Sequence, residues 1–133
     1  MNRALKFRRM EGIYAVCKLP AKAPIPEWAQ TGEFVSITRT VDELSIVCRQ
    51  SNVPSDVPGG DLHSDGSWTC FKLVGPFAFS EIGIMASFLA PLSGNSVPIF
   101  SLSTFDTDYV LIKEGFLGIA LPTLQEAGHE LVP

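Results

Sequence analysis

The chain is poor in cysteine, in histidine and, beyond its first few residues, in positive charge. Its three cysteines, Cys17, Cys48 and Cys70, are odd in number and far apart, which excludes a disulfide framework. Each lies in an apolar run (YAVCKL, SIVCRQ, WTCFKL), where a free thiol behaves as a small buried hydrophobe. All three are expected reduced and slow to react, as suits a cytoplasmic protein. The two histidines, His63 and His129, stand alone, so no Cys/His spacing supports a metal site. No stretch approaches the ~20 apolar residues of a membrane-spanning helix, and the basic start lacks the apolar run and cleavage site of a secretory signal. Of ten Lys and Arg residues, Arg3, Lys6, Arg8 and Arg9 crowd into the N-terminus of a chain with net charge −4. The acidic remainder argues against nucleic acid as a partner. Catalytic signatures are missing too: there is no Gly-x-Ser-x-Gly elbow, P-loop or zinc-protease helix motif. Asp61, His63, Asp65 and Gly66 imitate the start of a calcium loop, but Lys72 stands where a bidentate Glu is needed. The expectation is no enzyme, no cofactor, no metal, no nucleic acid and no membrane partner.

What is present is a chain of 133 residues, 46% of them hydrophobic, with mean hydropathy +0.23. That suits one ordinary domain or two small units, with enough apolar surface to predict a homodimer or higher homo-oligomer. Residues 1–11 read as a disordered basic tip. Residues 12–50 hold a strand (Gly12 to Pro20), a Pro-rich connection with one helical turn, and a hairpin made by FVSITRT and ELSIVCRQ. Residues 51–67 are turn formers and read as a surface linker. Residues 68–133 are more regular. A strand from Trp68 to Gly75 precedes a helix from Ser80 to Leu92 with Ser80 as its N-cap. That helix is greasy on two sides, with Ile82, Ala86 and Leu89 on one and Ile84, Met85 and Phe88 on the other, so it asks for two partners. Strands VPIFSLS and DYVLIK follow, the first confined to an edge by Pro98. A helix over GFLGIALPTLQEAG, kinked or restarted at Pro122 and closed by Gly128, precedes a short strand in HELVP. The order strand, helix, strand, strand, helix, strand is that of an α+β ferredoxin-like (βαββαβ) sandwich.

Two stretches carry a family resemblance: GPFAFSEIGIMASFLAPLSGNSVPIFSLSTFDTDYVLIKE, and the hairpin FVSITRTVDELSIVCRQ. Together they resemble the ACT domain, the small-molecule-binding regulatory module of amino-acid metabolism, in the branch of arginine-sensing and aspartokinase-type repeats. The resemblance implies a shortened ACT-like unit over residues 12–50 and an ACT domain over 68–133. It also implies an amino-acid ligand held at an interface between ACT units, in a regulatory or sensor protein. A chain of this length matches half of a tandem sensor, which implies that two chains pair.

Carried over position by position, Glu81, Gly83, Thr104, Phe105 and Asp108 match ligand-contacting types of that branch. Ile82 falls at a further contact position, where the branch has Cys; Ala78 replaces a Gly and Thr107 an aromatic residue. Physical chemistry supports such a site. Helix N-termini attract a carboxylate, Glu81 and Asp108 could accept from an ammonium or guanidinium, Thr104 adds a hydroxyl and Phe105 a flat wall. Plainer roles compete: Glu81 could only favour a helix start, and Asp106 and Asp108 could only solvate a turn. The alternative function is an ACT-like homodimeric interaction platform without a ligand.

Overall fold

The computed structural model describes residues 3–133. The chain forms two compact units, one made of the N-terminal residues up to Glu11 together with Thr69–Pro133, the other of Gly12–Trp68. The second is thus inserted in the sequence of the first.

In the unit Gly12–Trp68, strand β2 (Tyr14–Leu19) pairs antiparallel with β4 (Leu44–Arg49), and β4 with β3 (Ser36–Arg39). The period-2 alternation of β2 turns Ala15, Cys17 and Leu19 inward onto Ala29, Leu44, Ile46 and Cys48. Thr40 closes the β3–β4 hairpin, its Oγ1 accepting from the N–H groups of Asp42 and Glu43, each at 3.1 Å. The Pro-rich connection contains a 3-10 turn, Glu27–Ala29. Residues 51–67 are only in part the expected linker, because β5 (His63–Leu73) begins inside them and its first part pairs with β2, Cys17 opposite Ser64. The three cysteines are free and buried, but they are not chemically alike. A hydrogen bond from Cys48 lowers the Cys17 thiol to about 7 against the effect of burial, and Ser64 adds to the lowering. The same bond, and then burial, push Cys48 up.

In the other unit, β1 (Lys6–Arg9) pairs antiparallel with the end of β5, Phe7 opposite Leu73, and parallel with β8 (Glu130–Val132), Phe7 opposite Leu131. On the far side β5 pairs with β7 (Asp108–Lys113), and β7 pairs antiparallel with β6 (Ile99–Ser103). The expected disordered tip is therefore corrected: from Lys6 to Arg9 it is a strand between the first and last strands of the βαββαβ set, and its first two positions lie outside the described residues. Charge hid a period-2 pattern. Leu5 and Phe7 face inward between exposed Ala4, Lys6 and Arg8, and Phe7 is fully buried edge-on to Phe71 and Phe88, with ring centroids 5.6 and 5.1 Å away.

Helix α1 runs Ile84–Gly94, not from Ser80. Its N-cap is Gly83, at φ +79°, a left-handed conformation that cannot continue a helix backward. Ser80, Glu81 and Ile82 therefore precede the helix, and no side chain caps it. The expected second apolar face is also corrected: Ile82 lies outside the helix and 94% exposed, Ala86 is exposed, and burial falls on Ile84, Ser87, Phe88 and Leu92. Pro91 inside α1 has no N–H for the Ser87 carbonyl four residues back. His129 supplies the replacement, with Nε2 at 2.9 Å from Ser87 O, while its Nδ1 accepts from Leu5 N–H at 3.1 Å. That pair of bonds selects the Nε2–H tautomer. Helix α2 (Leu117–Glu126) continues through Pro122 instead of restarting there. It ends in a Schellman motif, with Gly128 at φ +94° and N–H groups of Gly128 and His129 donating to Gln125 O and Leu124 O.

Candidate functional site

Two turns of the Thr69–Pro133 unit converge on a cavity of about 210 Å³, lined on one side by Phe77, Ala78, Phe79 and Glu81 with Ile84 at the start of α1, and on the other by residues of the β6–β7 turn from Ser103 to Asp108. Each wall is held by bonds that the sequence order makes possible. In the β6–β7 turn, Thr104 N–H and its hydroxyl both donate to Thr107 O, at 2.8 and 3.1 Å. Thr107, 6% exposed, donates its hydroxyl to Leu73 O at 2.6 Å, which ties the turn to β5. Ser103 donates to Asp108 Oδ1 at 2.6 Å. The Phe77 N–H donates to Asp106 O at 2.7 Å and joins the two walls.

Glu81 closes the other wall. Its Oε1 accepts from Ala78 N–H at 3.2 Å, and its Oε2 from Arg3 Nη1 at 2.5 Å. The Arg3 guanidinium, and then the Ala78 N–H, hold this carboxyl below the usual carboxylate range. Phe79 and Phe105 meet edge to face across the mouth, with centroids 4.8 Å apart. They remain 77% and 78% exposed, an open aromatic rim on the cavity.

The structure thus brings together Glu81, Thr104, Phe105 and Asp108 of the six candidate residues. Ile82 and Gly83 do not line the cavity: Ile82 points to solvent, and a Cβ at Gly83 would meet nothing within 4 Å. Glu81 is on a turn ahead of α1, not on its first turn. Thr104 spends its proton inside its own turn and accepts from Thr107 N–H at 3.4 Å, leaving one oxygen lone pair for a ligand. Residues that sequence reasoning passed over include Phe77 and Phe79, and Arg3, read as part of a tip. Arg3 had a signal in the basic cluster; nothing local in the sequence pairs it with Glu81, 78 positions away. Among the described residues no group of three or more His, Cys, Asp or Glu could hold a metal ion. Among the described residues no helix is long and apolar enough to cross a membrane. A larger cavity of about 360 Å³ lies in the Gly12–Trp68 unit, lined by Trp28, prolines and a single carboxylate, Asp61. Its wall offers little to a charged ligand, whereas the smaller cavity concentrates polar groups, so the chemistry favours the smaller.

A βαββαβ sandwich with a cavity lined by carboxylates and aromatic rings where its first helix begins is a ferredoxin-like α+β module. Comparison with known proteins gives the family. A model of the ACT domain matches residues 63–126, and a model of an N-terminal domain matches residues 12–56. A crystal structure of an Agobacterium tumefaciens protein is 45% identical, with TM-score 0.89, covering 98% of this chain and 93% of that one. The regulatory subunit of aspartate kinase from Thermus thermophilus, in its ligand-free form, shares the fold at 9% identity and TM-score 0.60, over 87% of this chain and 93% of that one. Among curated proteins, the cytosolic arginine sensor for mTORC1 subunit 1 of Bos taurus is 26% identical over 114 residues, 76% of this chain and 35% of the sensor. The chain spans about a third of that relative's length. Over residues 63–126 it belongs to the ACT-domain family.

Proposed function

We propose that the chain is a regulatory module that binds an amino acid in the cavity between the turn before α1 and the β6–β7 turn. The convergence of Glu81, Asp108, Thr104 and the aromatic rim carries this reading. The carboxylates supply acceptors for a cationic group, and Asp108 keeps Oδ2 free of the Ser103 bond. Phe79 and Phe105 supply a flat apolar wall for the ligand body. Relatives named as an arginine sensor and as an aspartate kinase regulatory subunit support amino-acid regulation as the role. The module acts in the cytoplasm, where free buried thiols persist, and it regulates rather than catalyses.

A homodimer completes this reading. The rim residues Phe79 and Phe105 are 77% and 78% exposed, and Ile82, outside the cavity, is 94% exposed; together they offer apolar surface that a second copy would cover. The same surface favours the second reading, an interaction platform with no ligand. A melting scan against the twenty amino acids separates the two. At a hundred times the dissociation constant a ligand adds about 2.7 kcal/mol, a shift of roughly several degrees for a chain of this size. One or a few amino acids are expected to give it, and a flat panel leaves the platform.

A further inference from the structure

Arg3 reaches the proposed site from the other end of the sequence. Its guanidinium donates to Glu81 Oε2 at 2.5 Å and lies 5.6 Å from the centroid of the Phe77 ring. Its own backbone N–H donates to Ser87 Oγ at 3.1 Å, and two residues on, Leu5 N–H is held by His129 Nδ1. The arm is therefore anchored immediately behind Arg3, and the pairing of β1 fixes the residues from Lys6 to Arg9. The guanidinium is delivered to Glu81 by a short tether, while its side chain stays 52% exposed.

We infer that Arg3 is a tethered surrogate ligand: it holds the cation position of the cavity, and the ammonium or guanidinium of an incoming amino acid binds by displacing it from Glu81. The inference rests on the ligand-binding reading of this cavity. Three observations carry it. The residues lining the cavity include Glu81, Asp106 and Asp108 and no Lys or Arg, so the lining is suited to accept hydrogen bonds from a cation. A carboxylate and an aromatic face already grip a guanidinium there, which shows the chemistry that the place selects. The pair is exposed, and exposed ion pairs are weak enough to exchange with a soluble competitor. The tether keeps Arg3 at a high local concentration, so the free ligand sees only the fraction of molecules in which Glu81 is vacant.

Calorimetric titration of L-arginine, L-lysine and the neutral isostere L-citrulline into wild-type protein and Arg3→Gln at low salt tests this. Arg3→Gln is expected to tighten the two cationic amino acids by about three- to tenfold, from the loss of one exposed ion pair with its ring contact. L-Citrulline is expected to move less. The gain should shrink as salt is raised and vanish in the Glu81→Gln background, where Arg3 has nothing to hold. Unchanged affinity in Arg3→Gln overturns the inference and leaves the ligand-binding reading intact. Weaker binding in Arg3→Gln also overturns it, because Arg3 would then be holding the ligand's carboxylate. If no probe binds Arg3→Gln, the inference is likewise overturned, and the ligand-binding reading is decided separately by the twenty-amino-acid panel.

Discussion

Residues 5–10 and residues 78–83 are segments of equal length that Arg3 and its salt bridge bring to the same side of the site, yet they are held in opposite ways. In the first, Leu5, Phe7 and Met10 are buried, and Phe7 and Arg8 are paired with a strand on each side. In the second, all six residues are exposed, and order comes from surface contacts, among them Glu81 N–H to Ala78 O, Ala78 N–H to Glu81 Oε1 and the Arg3–Glu81 pair. One segment is fixed by burial, which does not exchange; the other by polar contacts, which do. A recognition surface needs the second kind of order, supported at its back by the first.

The comparison breaks most visibly at Phe7. Phe7→Ala removes a fully buried ring from between Phe71 and Phe88 and is expected to cost about 3 to 5 kcal/mol in denaturant unfolding. A loss under about 1 kcal/mol would mean that β1 is dispensable. Next comes His129→Ala, which strips partners from both Leu5 N–H and the Ser87 carbonyl that Pro91 leaves open. Two buried groups left unsatisfied predict a loss of about 2 to 4 kcal/mol. On the exposed segment the scale collapses. Ile82→Ser should change monomer stability by less than about 0.5 kcal/mol, and any larger effect that depends on protein concentration would locate a dimer contact there.

Acid sharpens the same contrast. Because the folded-state pKa of Glu81 lies below its unfolded value, its contribution to stability is present above about pH 4.3 and is lost as pH falls through the folded value. The stability difference between wild type and Glu81→Gln should therefore exist at neutral pH and close in acid. A difference that does not change with pH would show that Arg3 does not bond the ionised carboxylate.

Much of the fold was legible because periodicity is local. The β3–β4 hairpin, β6, β7 and the Gly128 stop of α2 all follow from residues within a few positions of one another. What misled were local signals that longer-range terms overrode. Four cations near the N-terminus concealed the inward alternation of Leu5 and Phe7, and Ser80 offered a plausible cap that the left-handed Gly83 made unusable. The polar run STFDTD was recognised as unusual, but its groups serve two ends: Thr104 and Thr107 build the turn, while Asp108 and Phe105 remain at the cavity. The Arg3–Glu81 pair was illegible in principle, since only the folded topology makes the two neighbours.

The cavity itself is tested most directly by calorimetric titration of the panel's most stabilising amino acid into wild type, Glu81→Ala and Asp108→Ala. A charge-assisted hydrogen bond contributes about 1.5 to 3 kcal/mol, so loss of either carboxylate should weaken binding by a factor of about ten to over a hundred, with the fold retained. Unchanged affinity in both variants would contradict the assignment of the site.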